Sequence, residues 1–389
     1  MTREAQRLLL LGGASALGSL AIQMLVPAMP MIARELHAST STLQLSITLY
    51  LAGLSVGQLV SGPLADHYGR RPTLLGGILL FFAGSVVGAL APSTALLLAS
   101  RVLQSLGAAA ALVAGRSIVA DGARSETVSR AMAGLSMVTL VSPTLAPGIG
   151  GFLTDAAGWR AVFLVLALAA LVLGLRIRQV VSESHSRAAD HRALSWRSYR
   201  ALLGSPQFVR LIGGNASYSM ALYVFLAIAP FLMAGQLHMS ARGAGGSLLW
   251  VAAAMIGGTL LHRIDGLSRR AVVLGKAIAG IGVVALGVLA IGMPLSLWSL
   301  VPPMCVVALG AGFSGPAVLA RALDLDRTRI GTASSLFGAT QTLFSSLAIA
   351  LVAALHINTA IGLAALIACC ITAAAVLIPA GTATLQGEA

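Results

Sequence analysis

Few side chains in this sequence can hold a charge or move a proton, and where they fall is informative. The hydrophilic stretch Gly62-Pro-Leu-Ala-Asp66-His-Tyr-Gly69-Arg70-Arg71-Pro72-Thr73 lies between two strongly apolar runs, and Asp66 is the first acid after Glu35. Gly69 permits a tight reversal with positive φ. Pro72 suits the first turn of a following helix, where its missing N–H costs nothing. An acid at a helix end can face the N-terminus of another helix, whose unpaired N–H groups favour an anion. The helix starting near Gly331-Thr332-Ala333-Ser334 is the expected partner of Asp66, with Arg70 and Asp121 completing a charged cluster that holds one side of the molecule shut.

Arg101 stands inside an apolar run, in Arg101-Val-Leu-Gln104-Ser-Leu-Gly107-Ala-Ala. At the centre of a bilayer an arginine costs at least about 2.5–3.5 kcal/mol. It must therefore face a wet cavity, find a polar partner, or snorkel to the surface. Gln104 shares its helical face, and Gly107 lets a neighbouring helix approach. A third stretch, Ser142-Pro143-Thr-Leu-Ala146-Pro147-Gly148-Ile-Gly150-Gly151, would ruin a soluble helix, but within a bundle it allows a kink and close packing. Polar and aromatic residues embedded in apolar runs are the candidate cavity lining: Gln23, Tyr50, Arg101, Gln104, Asn215, Tyr218, Tyr223 and Gln341. One cation, amides and phenols without an embedded acid suit neutral or anionic amphipathic compounds.

The elements that must position these groups are membrane spans. Of 389 residues 57% are hydrophobic and 10% charged, against about 25% charged in a typical soluble domain, and the mean hydropathy is +0.91. Since a spanning helix needs about 20 mostly apolar residues, the chain reads as twelve spans: roughly 8–33, 41–65, 72–91, 94–119, 128–154, 161–175, 209–235, 243–262, 271–292, 299–320, 332–354 and 358–379. The first continues past signal-peptide length to Pro27 and Pro30 and is read as a retained span. A polar segment over Glu183–Pro206, with Arg187, Arg192, Arg197 and Arg200 around Trp196, reads as a linker carrying a surface helix.

A net charge of +13 does not point to nucleic acid, because the carriers are scattered singly between apolar runs. Cys305, Cys369 and Cys370 lie in apolar runs without disulfide or zinc spacing. Cations crowd one set of span ends, while the opposite ends hold only Arg34, Arg160 and Arg242. The positive-inside rule then places both termini and the linker in the cytoplasm.

The two halves look alike. Asp66, Arg70 and Arg71 after span two recur as Asp265, Arg269 and Arg270 after span eight, and Leu106-Gly107-Ala108 recurs as Leu309-Gly310-Ala311. The expected organisation is an N-terminal six-helix bundle over 8–177, a cytoplasmic linker over 178–208 and a C-terminal six-helix bundle over 209–380, an all-α membrane protein with its substrate site between the halves.

The stretch Gly-x-x-x-Asp-x-x-Gly-Arg-Arg at 62–71 resembles the loop between helices two and three of the major facilitator superfamily. That resemblance implies a gating role for Gly62, Asp66, Gly69, Arg70 and Arg71, and an acid such as Asp121 at the end of span four. The run from Arg101 resembles the Arg-x-x-Gln-Gly motif of proton-coupled facilitators, with Ser105 in place of the Gly. It implies a part for Arg101 in proton transfer, with Gln104 beside it as a further coupling candidate. The acids Asp66, Asp121 and Asp155 stand at span ends, so a proton would load near a membrane face, and Asp66 and Asp121 are the coupling candidates among them. The stretch with Pro143, Pro147, Gly148, Gly150 and Gly151 resembles the antiporter motif Gly-Pro-x-x-Gly-Gly, with Ala146 at the first Gly. With Tyr223-Val-Phe-Leu-Ala-Ile-Ala-Pro230-Phe in span seven, the whole resembles the bicyclomycin/chloramphenicol-resistance branch of the drug:proton antiporters. That branch implies a secondary transporter of the bacterial inner membrane that exports small amphipathic compounds by proton antiport and alternating access. The expected partners are a small-molecule substrate and the lipid bilayer, with the proton as coupling ion, no other cofactor and no metal, in a monomer. The branch usually has an acid in span one where this chain has Gln23, so a proton-independent facilitator stands as the alternative mechanism.

An intramembrane protease is the competing class. Gly312-Phe313-Ser314-Gly315 mimics a Gly-x-Ser-Gly nucleophile and His356 a base, but they fall toward opposite faces, and a nucleophile needs its base within hydrogen-bond reach. Gly310-x-Gly312-x-x-Gly315 likewise mimics a dinucleotide fingerprint without the strand that gives it meaning. Packing of small residues accounts for both.

Overall fold

The computed structural model describes residues 3–121, 145–182, 196–262, 264, 270–326 and 329–379. Pro143, Asp265 and Arg269 lie outside the described residues, as do the side chains of Asp66 and Asp121. Within them the protein is helical, without a β-strand. In the N-terminal half the elements are α1 (Arg3–Gln23), α2 (Met29–Glu35), α3 (Thr40–Tyr68), α4 (Arg70–Ala89), α5 (Thr94–Asp121), α6 (145–157) and α7 (Arg160–Val180). After the short α8 (Trp196–Leu203) come α9 (Pro206–Gly235), α10 (Ala241–Leu261), α11 (Ala271–Gly292), α12 (Leu297–Asp324), α13 (Ile330–Ala354) and α14 (Ala360–Leu377). Among the described residues, eleven stretches are long and apolar enough to cross a bilayer. Span five overlaps residues outside the description, and α6 is its described end.

Local chemistry sets the breaks. Pro27 and Pro30 lack the N–H groups that would continue α1, and the chain passes through a 3-10 turn at Val26–Ala28 into α2. The hydrophilic stretch after span two is mostly helical, since α3 runs to Tyr68. The reversal is concentrated in Gly69, whose φ of 99° favours glycine. Serine caps start several spans: Ser39 accepts the N–H of Thr42 at 3.1 Å, and Ser296 and Ser299 form a reciprocal capping box.

The internal duplication is carried by packing. A Cβ on Gly107 of α5 would come within 2.5 Å of the Gly77 carbonyl and 2.4 Å of the Phe81 nitrogen in α4. A Cβ on Gly310 of α12 would come within 2.5 Å of the Gly275 carbonyl and 2.6 Å of the Ala279 nitrogen in α11. In lipid, close backbone approach through small residues is what draws helices together, because the hydrophobic effect does not. Two turns repeat as well: His37 and His238 share positive φ values of 50° and 52°, and the serines that follow them, Ser39 and Ser240, each cap the next helix.

By packing, the chain forms two compact units. One comprises Met1–Leu194 with Ala229–Leu249 and Ser346–His356; the other comprises Ser195–Ile228, Trp250–Ser345 and Ile357–Ala389. The divisions fall inside α9, α10 and α13. The first unit therefore gains, on the face opposite the basic ends, the last turns of α9 and α13 and the first turns of α10.

Candidate functional site

The first unit holds the buried cation. Arg101 is 1% exposed, and its guanidinium carbon lies 4.1 Å from the centre of the Tyr50 ring. Its Nη1 donates to Gln104 Oε1 at 2.6 Å, Gln104 Nε2 donates to Ser85 Oγ at 2.8 Å, and Ser85 donates to the Phe81 carbonyl at 2.8 Å. Tyr50 donates to the Gly18 carbonyl at 3.0 Å, which fixes its ring under the cation. The geometry follows from sequence spacing, since Arg101 and Gln104 lie about one turn apart on α5, and the glycine contact of α4 with α5 brings Ser85 alongside. Of the readings open to Arg101, the structure selects the polar partner. The Arg101 and Tyr50 side chains are both buried in this arrangement.

The environment stabilises the charge without neutralising it. A cation over an aromatic face gains about 2 kcal/mol when desolvated, and the Gln104 bond is charge-assisted. No carboxylate pairs with Arg101 among the described residues, and its Nε and Nη2 are buried without a hydrogen-bond acceptor. Each unsatisfied buried donor costs about 1–3 kcal/mol. An incoming acceptor or anion would find these donors already oriented.

The second feature is a closure on the face opposite the basic ends. At the start of α10, Asp155 from α6 accepts the backbone N–H of Ala241 at 3.2 Å and of Arg242 at 2.9 Å, while Ser240 accepts that of Gly243 at 3.2 Å. The first-turn donors, orphaned in any helix, are thus met by one carboxylate and one hydroxyl, and the negative charge sits against the positive helix end. Close contact beneath the cap requires glycine. A Cβ on Gly150 would fall 2.0 Å from the Met24 carbonyl oxygen, and one on Gly151 would fall 2.3 Å from that of Ala241. Beside this cap lies a pocket of about 170 Å³ lined by Pro27, Pro30, Arg34, Asp155, Pro230 and Met239. That is smaller than ligand pockets of about 300–1,000 Å³. Nearby, Glu35 accepts from Trp159 Nε1 at 2.7 Å and pairs with Arg160, which also donates to the Ala91 carbonyl at 3.2 Å. Ser346 of α13 donates to the Thr48 carbonyl at 2.9 Å.

In the second unit Asn215 Nδ2 reaches Gln341 Oε1 at 3.5 Å, a marginal bond that brings two predicted cavity residues together. The Tyr218 hydroxyl is buried without a partner of hydrogen-bonding geometry, with Ser314 beside it. Tyr223 is part-buried on α9, and the side-chain Oε1 of Gln23, at the end of α1, is buried without a partner among the described residues. The Ser314 hydroxyl donates to the Gly310 carbonyl at 2.9 Å and fills the space a Cβ on Gly275 would need, so the protease-like serine is a packing residue.

The predicted gate is described in part. Gly62 lies in α3, Gly69 forms the joint, Arg70 opens α4, and Arg71 Nη2 donates to the Arg178 carbonyl at the end of α7 at 2.8 Å. The expected contact of the Asp66 side chain with the start of α13, and the role of Asp121, lie outside the described residues. Of the antiporter-like stretch, Pro147, Gly148, Gly150 and Gly151 stand on α6, and Pro143 is outside the description. Sequence reasoning missed Asp155 as a helix cap and the Glu35–Trp159–Arg160 cluster. Asp155 was visible as an acid at a span end, but nothing local pairs it with a helix start 86 residues away.

Comparison with known proteins agrees with this architecture. The model of the Major Facilitator Superfamily matches residues 11–349. The chain belongs to that family of membrane transporters, which are not enzymes. A chloramphenicol resistance protein of Pseudomonas aeruginosa is 32% identical over 79% of this chain and 74% of its own length. Multidrug resistance protein D of Escherichia coli is 29% identical over 88% and 87%. The uncharacterized MFS-type transporter YdgK of Bacillus subtilis is 41% identical over a shorter match covering 44% of each chain. The crystal structure of a D-xylose-proton symporter shares the fold, with a TM-score of 0.76, 17% identity and coverage of 96% and 98%.

Proposed function

We propose that the protein exports small amphipathic compounds by alternating access, exchanging them for protons, and that the state described is one whose outer path is shut. The observation that carries the substrate class is Arg101, a buried cation with oriented spare donors and no acid partner among the described residues. Such a group attracts carbonyl, nitro or anionic acceptors and repels cations. The same site holds the Gln104 amide and the Tyr50 phenol, with no described carboxylate deep in a span to welcome a positive charge. The names of the relatives support a phenicol or multidrug substrate. The basic face is read as cytoplasmic, with both termini there, in a monomer of the bacterial inner membrane, because cations retained in short loops orient spans in that way.

A panel assay tests the substrate class. In cells expressing the protein, a neutral phenicol should be extruded much faster than a lipophilic dication of similar size. Strong efflux of the dication with little of the phenicol would refute this assignment. Proton-independent exchange is a second reading, favoured by Gln23 at the place where the branch usually has an acid. A cavity carboxylate raised in pKa by desolvation is the usual proton carrier, and the described acids Glu35, Asp155, Asp324 and Asp326 all stand at helix ends.

A further inference from the structure

The last carbonyls of α14 have no intrahelical partner, and in the second unit three cations from three other helices converge on them and on the carbonyls of Ile378 and Pro379 just beyond. Lys276 of α11 donates to the Ala375 carbonyl at 2.7 Å and to that of Ile378. Arg321 of α12 donates to the Pro379 carbonyl at 3.1 Å. Arg210 of α9 reaches the Leu377 and Val376 carbonyls at 3.3 and 3.5 Å. A helix C-terminus carries roughly half a negative charge, so one cation suffices and three leave a large positive surplus. No carboxylate pairs with any of them among the described residues, and Arg210 and Arg321 both repel Lys276.

The donors are not used up. An ammonium has three N–H groups and a guanidinium five. Among the described residues Lys276 makes two bonds, Arg210 two and Arg321 one. Around the cations the surface is apolar: Val209, Val273 and Val376 are 42%, 48% and 69% exposed, each within about one helical turn of the cluster. The short helix α8, with Arg200 exposed, immediately precedes α9, so the cluster stands among the basic ends of the spans. Guanidinium groups bind phosphate oxygens bidentately, and basic residues at a membrane face attract anionic lipid.

We propose that Arg210, Lys276 and Arg321 bind the phosphate headgroup of an anionic phospholipid, with an acyl chain lying against the exposed valines. The apolar rim favours a lipid over a free phosphate, which would gain nothing from it.

The test uses the purified full-length protein in detergent, titrated with phosphatidylglycerol, phosphatidylcholine or glycerol phosphate. Bound lipid is counted by native mass spectrometry, and the thermal midpoint is followed. The intact protein should retain phosphatidylglycerol about tenfold more tightly than phosphatidylcholine and melt several degrees higher with it. The double variant Arg210→Gln/Arg321→Gln should lose that preference while matching the intact protein in phosphatidylcholine, and Arg210→Lys/Arg321→Lys should keep most of it. If the double variant is not monodisperse, Arg210→Gln alone is read by the same count, because Arg210 is exposed. An unchanged preference in the glutamine variants, equal retention of both lipids, or equal stabilisation by glycerol phosphate would each overturn the proposal. No transport is measured, so the outcome is independent of proton coupling.

Discussion

Arg101 carries a full charge in a helix that must cross the bilayer, and its neighbours explain how that is tolerated. The Tyr50 ring covers one face of the guanidinium and Gln104 takes one N–H, leaving two nitrogens with nothing to bind. Arg101→Gln removes the charge while preserving a polar group of similar reach. A hydrogen bond to a charged group contributes about 1.5–3 kcal/mol, so transport of an acceptor-bearing substrate should fall roughly 10- to 100-fold. The thermal midpoint should be unchanged or higher, because an unpaired buried charge has been removed. Efflux kinetics alongside a melting curve check both, and a variant that melts lower yet transports normally would make Arg101 a structural residue. Tyr50→Phe keeps the ring and loses the hydroxyl with its bond to the Gly18 carbonyl. It should cost about 0.5–1.5 kcal/mol of stability with little effect on transport, whereas Tyr50→Leu, which removes the cation–π contact, should impair both.

Among the elements, α6 and α10 meet backbone to backbone, and a single carboxylate caps the contact. Asp155→Ala removes two bonds from a helix N-terminus, and losing such a cap costs about 0.5–2 kcal/mol. The closed arrangement should become less populated by a factor of about 2–30. This can be read as faster thiol labelling from outside at Ala244→Cys, which is 2% exposed, in a background with the three native cysteines replaced. Asp155→Asn, which keeps one acceptor, should fall between. Unaltered labelling in Asp155→Ala would remove the cap from the account. The span pattern, the Gly69 reversal and the repeated Leu-Gly-Ala were legible in the sequence, because hydropathy and helix period act locally. What stayed hidden is tertiary: Asp155 meets a helix start far along the chain, and the cations at 210, 276 and 321 look scattered until four helices bring them to one carbonyl cluster. The helical continuation of α3 to Tyr68 was missed for a different reason. Asp66, His67 and Tyr68 are polar enough to end a hydrophobic span, but polarity at a membrane surface does not end a helix.

For the whole molecule, duplication means that equivalent changes should have equivalent effects. Gly107→Val and Gly310→Val insert side chains where backbone already lies within 2.6 Å of a Cβ. Overpacking of this kind costs about 1–3 kcal/mol, so each should lower the thermal midpoint to a similar extent. A large drop for one and none for the other would argue against twin bundles built on the same contact. Alternating access with proton exchange is the claim on which the rest depends, and it is tested most directly in proteoliposomes with an acidic lumen and a neutral phenicol outside. Neutrality matters, since the gradient alone cannot trap such a compound. The account predicts accumulation above the external concentration, driven by protons leaving, and its collapse on adding a protonophore. Uptake that merely equilibrates, at the same rate with or without the gradient, would contradict it.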